Sequence, residues 1–295
     1  MCYFKYTFTP ALGLNYSSVS TLHIPLSTEM NDLWNAADFN AWSRLARTGR
    51  TLKFLSTTMA QPLTSGHIAS VSSFDAAILL AGHALQLPDI SQNMAIAFRG
   101  SGVASTYLAL HHTPLHELLS VSGDSWLFNK KVSQARIFQE HKQKLVDWSK
   151  SREAVIAAFF AIRGIVSFLN VDQTTVNEIH TGLDAIRVQP RKDISDYWGL
   201  YVCVLICWAF GQGATTTRVS SSDDASRKTS LEWLLAAAEL ELEQLQEWPG
   251  RRRTRAVICL VRDVLSRDCP SGRNRMFNDA VNVLKNLGGR DGLGF

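Results

Sequence analysis

The chain has 295 residues, 46% of them hydrophobic and eight of them tryptophan, which is ample for a substantial core and excludes an intrinsically disordered protein. Charged residues make up only 19%, below the roughly 25% usual for soluble domains, so several helices are expected to be buried on more than one side. The net charge of +4 is small and scattered, and it does not by itself announce a nucleic-acid surface.

Residues 1–26 have no clear period and contain Pro10 and Pro25, which reads as an irregular N-terminal arm. From Ser27 onward Met30, Leu33, Trp34, Ala37, Ala41 and Leu45 fall at helical spacing, and Gly49 can stop that helix. A second helix is expected from about Phe74 to Leu87, with Ser72 and Asp75 in capping-box relation ahead of it and Pro88 beyond. Tyr107, Leu108, Leu110, His111 and His112 close an apolar helix. Pro114 forbids its continuation, because it removes a donor and clashes with the preceding turn. Leu115, Leu118, Leu119 and Val121 then give a short helix, and Gly123 stands where a left-handed cap would fall. Asp124, Trp126 and Phe128 follow as a connector whose aromatics are expected to plug the core, and Lys130 and Lys131 mark its exit to the surface.

Ser133 can cap a helix carrying Ile137, Phe138, His141, Leu145 and Trp148 on one side, and Arg152 to Leu169 repeats the logic with a wider apolar face. Thr175 and Glu178 form a further capping box for a helix to about Val188, which Pro190 ends. Asp193 to Gly211 is apolar all round, with Trp198, Leu200, Val202, Leu205, Ile206 and Trp208 covering its circumference, so it is expected at the centre of the core. Residues 211–229 are polar and aperiodic and read as a mobile loop inside the domain. Thr229 with Glu232 opens a helix ending at Trp248, and two more helices are expected, about Arg252 to Asp268 and about Arg273 to Leu287. No strand reaches comparable strength. The fold class is therefore all-α, a compact array of roughly ten helices, drawn as a single helical domain over residues 27–295.

Five cysteines, Cys2, Cys203, Cys207, Cys259 and Cys269, are odd in number and far apart, which argues against a disulfide scaffold and for a reducing compartment. Met1 to Ala11 do not read as a secretory signal. The longest apolar run, Tyr197 to Phe210, covers fourteen residues, where a spanning helix needs about 18 or more. No membrane partner is expected.

Two stretches carry a family resemblance: LHHTPLHELLSVSGDSWLFNKKV, with His112, Pro114, Leu115, His116, Gly123, Asp124, Trp126, Phe128 and Lys130, and DISDYWGLYVCVLICWAFG, with Trp198, Tyr201, Cys207 and Trp208. Together they resemble the regulatory region of fungal transcription factors, the all-helical fungal-specific transcription factor domain that follows zinc fingers of the two-cysteine two-histidine kind. The resemblance covers roughly residues 73–287. It implies a nuclear regulator of RNA polymerase II transcription rather than an enzyme, with the transcription machinery or co-regulator proteins as partners, and self-association into a homo-oligomer as a further expectation. The family's zinc fingers lie N-terminal to this region, yet no Cys-x-x-Cys or paired His spacing occurs there. Zinc is thus expected only in fingers that this chain does not carry, and DNA is reached only through them. The chain reads either as a truncated relative or as a fragment of a longer protein.

Other constellations are weak. His112 and His116 are four apart, but Pro114 between them breaks the helical geometry that would let them share a metal, and no third ligand stands nearby in the sequence. Cys203 and Cys207, also four apart, lie in the most hydrophobic helix, where a thiol behaves as a small apolar side chain. Gly100, Ser101 and Gly102 followed by Ser105 lack the preceding strand of a phosphate loop. Ser122-Gly123-Asp124-Ser125 lacks the second glycine of a hydrolase elbow, and Asp223-Asp224 has no matching carboxylates. These residues predict no catalytic site, no stoichiometric zinc and no sequence-preferring contact with DNA.

Charge distribution says more than charge total. Ser230 to Trp248 holds five acids and no Lys or Arg, whereas Gly250 to Phe295 holds ten bases against four acids. Arg251, Arg252, Arg253 and Arg255 fall at an expected helix start, where the backbone dipole disfavours cations. Pairing with the acidic helix across the Pro249-Gly250 turn is the simplest compensation; a nuclear import signal or a phosphate contact is the sharper alternative. Two other function classes stay open beside the regulatory one. One is a helical small-molecule enzyme, which would require convergent polar residues in an apolar cavity, and the other a stand-alone adaptor pairing with full-length relatives; an exposed apolar patch would favour an interaction module over the enzyme.

Overall fold

The computed structural model describes residues 25–48, 53–59, Asp75, Leu79, 102–123, 135–170, 194–212, 227–269 and 275–289. The described part is all-α. Its one extended feature is an isolated antiparallel bridge between Pro25 and Phe54. Packing divides the chain into two compact units, Met1–Ala104 and Ser105–Phe295, where the sequence reading drew one domain over 27–295.

In the first unit, α1 (Ser27–Trp34), α2 (Phe39–Arg47) and the short α3 (Leu55–Met59) are described. The continuous helix expected from Met30 to Leu45 is therefore two helices. The break is local chemistry: Asp38 adopts an extended backbone and its carboxylate accepts the Ala41 amide at 2.7 Å, a side-chain cap that starts α2 afresh. Asp75 and Leu79 are helical and buried; the rest of the helix expected over 74–87 lies outside the described residues.

The second unit is built around one helix. α4 (Gly102–His111), whose residues from Ser105 onward belong to this unit, is followed by α5 (Leu115–Ser122), α6 (Ala135–Ser149), α7 (Arg152–Leu169) and α8 (Ile194–Gln212). After them come α9 (Arg227–Glu239), α10 (Leu242–Glu247), a 3-10 turn (Pro249–Arg252), α11 (Arg255–Asp268) and α12 (Arg275–Gly289). α8 packs against α5, α6, α7, α11 and the 3-10 turn, and from Trp198 to Gly211 every residue is buried. An apolar circumference demands neighbours on all sides, and here it has them. Its largest partner surface is α7, whose Ala154, Ala157, Ala158, Ala161 and Gly164 are buried and small enough for close helix approach.

The helix ends follow local rules. Ser151 accepts the Ala154 amide at the start of α7, and Asn170 closes it in the left-handed region at φ 53. The helix expected from Thr229 to Trp248 is broken at Leu240–Glu241. Gln244 reaches back there to accept from the Glu241 amide at 3.0 Å, which begins α10. Of the loop expected over 211–229, Gly211 and Gln212 belong to α8 and residues 227–229 to α9, and the rest lies outside the described residues. Gly211 is held there by close packing: a Cβ would stand 2.9 Å from the Arg251 carbonyl oxygen. Ile137, placed on the buried side of its helix by periodicity, is 36% exposed at the first turn of α6. The helix expected over 175–188 lies outside the described residues. No helix among the described residues is long and apolar enough to cross a membrane.

Candidate functional site

Three groups of side chains bear on function, and the first is the pair of motif segments. Pro114 caps α5, its carbonyl accepting from the Leu118 amide at 2.9 Å, and Gly123 ends α5 in the left-handed region at φ 93, as its place in the sequence predicts. His112 sits between helices. Its Nδ1 donates to Glu153 Oε2 at 2.5 Å in the first turn of α7, where a carboxylate is favoured by the helix dipole, and its carbonyl accepts from Trp148 Nε1 at 2.8 Å. Leu115 is half-buried and His116 exposed. Trp198, Tyr201, Cys207 and Trp208 are all core, none more than 6% exposed. Thr106 Oγ1 and Cys203 Sγ share a hydrogen bond at 3.4 Å that ties α4 to α8. Burial pushes the Cys203 thiol up to about 12 and the Cys207 thiol well above its ordinary value, so both are inert, neutral packing groups. Asp124, Trp126, Phe128 and Lys130 lie outside the described residues.

The arginine cluster divides. Arg251 turns inward and is 6% exposed. Its guanidinium donates to the Phe210 carbonyl at 2.8 Å, to the Ser149 carbonyl at 2.5 Å and to the Gln246 carbonyl at 3.3 Å, and it stacks 3.7 Å from the Phe210 ring centre. Those carbonyls belong to the last turns of α8, α6 and α10. One cation thus serves the negative ends of three helices. Burial, with Arg252 adding repulsion, lowers its pKa to about 10, and it stays charged at neutral pH. As an import-signal or phosphate-contact residue Arg251 is therefore corrected to a structural clamp, because its donors face main chain. From the acidic segment its partner is a main-chain carbonyl, that of Gln246. Arg252 is half-buried, and Arg253 and Arg255 are exposed.

Arg253 and Arg255 border a cleft of about 370 Å³ lined also by Thr229, Glu232, Trp233, Trp248 and Gly250, within the span of small-molecule sites. Its wall is aromatic. Trp233 and Trp248 lie 5.2 Å apart between ring centres, and Trp233 Nε1 donates to the Gly250 carbonyl at 2.6 Å, which fixes the ring. Ser230 Oγ donates to the Ala256 carbonyl at 2.8 Å and joins α9 to α11 behind the cleft. The arrangement is an aromatic wall with a rim of mixed charge, Glu232 beside Arg253 and Arg255.

The third group was not legible as a group. His116 and Glu117 at the start of α5 meet His141 of α6, with candidate ligand atoms all within 4.8 Å of one another. Sequence spacing set His116 beside His112, but His112 lies in the turn before Pro114, His116 lies in α5, and His112 is engaged by Glu153. Trp233, Trp248 and Glu232 were likewise missed as cleft residues; the clue was a tryptophan on each side of the acidic block, immediately before the arginines.

No family model, no curated protein and no solved structure matches the chain.

Proposed function

We propose that the chain is the regulatory, non-catalytic part of a fungal transcription factor. In this reading it works in the nucleus on RNA polymerase II transcription, through contacts with co-regulator proteins or the transcription machinery, or through a small effector. DNA recognition is supplied by zinc fingers that this chain does not carry. What carries the reading is the place of the two segments that resemble the fungal-specific transcription factor domain. One is α8, buried from Trp198 to Gly211, and α5 of the other packs on it.

Two further observations support it. The cleft beside Trp233 and Trp248, edged by Glu232, Arg253 and Arg255, has the volume of a small-effector site. On α1 and α2, Trp34, Phe39 and Trp42 are 80%, 76% and 46% exposed, which favours a module that contacts other proteins. The test is transcription from a reporter when the full chain is fused to an unrelated DNA-binding domain in fungal cells. A change in either direction supports the reading, and background output at equal nuclear abundance refutes it.

A further inference from the structure

We propose that His116, Glu117 and His141 form a binding site for one divalent first-row transition-metal ion of the zinc class. The set is two imidazoles and one carboxylate, a combination that serves zinc and its neighbours and leaves coordination positions for water. The ligand atoms lie within 4.8 Å of one another. Ligands about 2.0–2.1 Å from a tetrahedral ion stand about 3.3 Å apart, so the ligand atoms need to close by at most about 1.5 Å. His116 is exposed and Glu117 half-buried, both in the first turn of α5.

His141 is the fixed member. It is buried to 9% exposure, and its Nδ1 is hydrogen-bonded to Ser120 Oγ at 2.9 Å. That bond holds the ring and leaves Nε2 to ligate, the arrangement by which outer partners orient metal-binding histidines. The rings of His116 and His141 already approach edge to face, with centres 4.9 Å apart at 75°. Helices α5 and α6 pack directly on one another, so the site needs no long-range movement.

The group that opposes an ion is Lys144, whose Nζ stands 3.6 Å from Glu117 Oε1. Its side chain is 66% exposed against 18% for that of Glu117, so the ammonium is the member that can swing into solvent when an ion arrives. A bound ion would cross-link α5 to α6 at the end of α5 nearest Pro114, and so make the stability of the motif helix depend on metal supply. The site is independent of the reading as a transcription regulator. Sequence spacing gave no sign of it because His141 stands twenty-five positions beyond His116.

The experiment uses the full chain, stripped with chelator and titrated with Co(II), followed by visible absorption and calorimetry, and then displaced with Zn(II). The expected result is one ion per chain, ligand-field bands without a thiolate charge-transfer band, and a melting temperature raised by Zn(II). In His116→Ala and in Glu117→Gln, both still folded by circular dichroism, affinity should fall about tenfold or more, while exposed His111→Ala should bind as the parent does. Absence of saturable binding would overturn the proposal. So would single-ion binding that His116→Ala and Glu117→Gln leave untouched, or a charge-transfer band that placed the ion on cysteine.

Discussion

Arg251 stacks on the ring of Phe210 and donates to the carbonyl of that same residue, so one side chain grips the last turn of the central helix by both its face and its main chain. Replacing Arg251 by Met keeps much of the packing and removes the donors, leaving buried helix-end carbonyls unmatched. A loss of about 3 kcal/mol is expected, the order for orphaned buried acceptors. Arg251→Lys should fare little better, because an ammonium cannot reach three divergent carbonyls from the guanidinium's position. Arg253→Ala, on the exposed rim, should stay within about 0.5 kcal/mol of the parent. Urea unfolding of the three variants checks this; equal stabilities would mean that Arg251 is no clamp.

Leu205 is fully buried in the middle of α8. Leu205→Ala should cost about 2 to 5 kcal/mol through lost burial and a residual cavity. The readout is the thermal midpoint by circular dichroism, and an unchanged midpoint would place α8 at a surface instead of in the core.

Much of this was legible before the structure. The all-round apolar pattern of residues 194–212 predicted a central helix, and Gly123 announced its left-handed cap. The breaks at Asp38 and Glu241 were not legible, since a single side-chain cap inside a good helical period outweighs the period. Arg251 was misread for a different reason. An arginine among arginines looks like surface, and only the convergence of Ser149, Phe210 and Gln246, brought from far apart in the chain, shows it to be interior. His141 joining His116 is the same kind of fact.

Alkaline pH should weaken the fold. Burial raises Cys203 from 9.0 to about 12, raises Cys207 well above 9.0, and raises Tyr197 from 10.0 to about 12 with Asp268 adding to it. Each is an acid whose proton is held more tightly in the folded state. Between the unfolded and folded values the folded chain binds more protons, so stability is full below about pH 9 and declines as pH rises toward 12. Melting temperatures measured from pH 7.5 to 10.5 should therefore fall with a slope that Cys203→Ala reduces. A flat profile would mean that these groups are reached by water. Maleimide should likewise label Cys203 and Cys207 slowly in the native chain and readily in denaturant.

The most direct test of the regulatory reading is reporter output in fungal cells from the full chain fused to an unrelated DNA-binding domain, measured beside the same fusion carrying Arg253→Glu and Arg255→Glu. Both positions are exposed; an import signal carried by the DNA-binding domain brings both fusions into the nucleus, and the comparison is made at equal nuclear abundance and with the double variant folded by circular dichroism. The parent should move the reporter away from the level given by the DNA-binding domain alone, and the double variant, with its cleft rim reversed in charge, should return it toward that level. A parent fusion that leaves the reporter at background under several growth conditions would contradict the account, as would a double variant that keeps the whole effect.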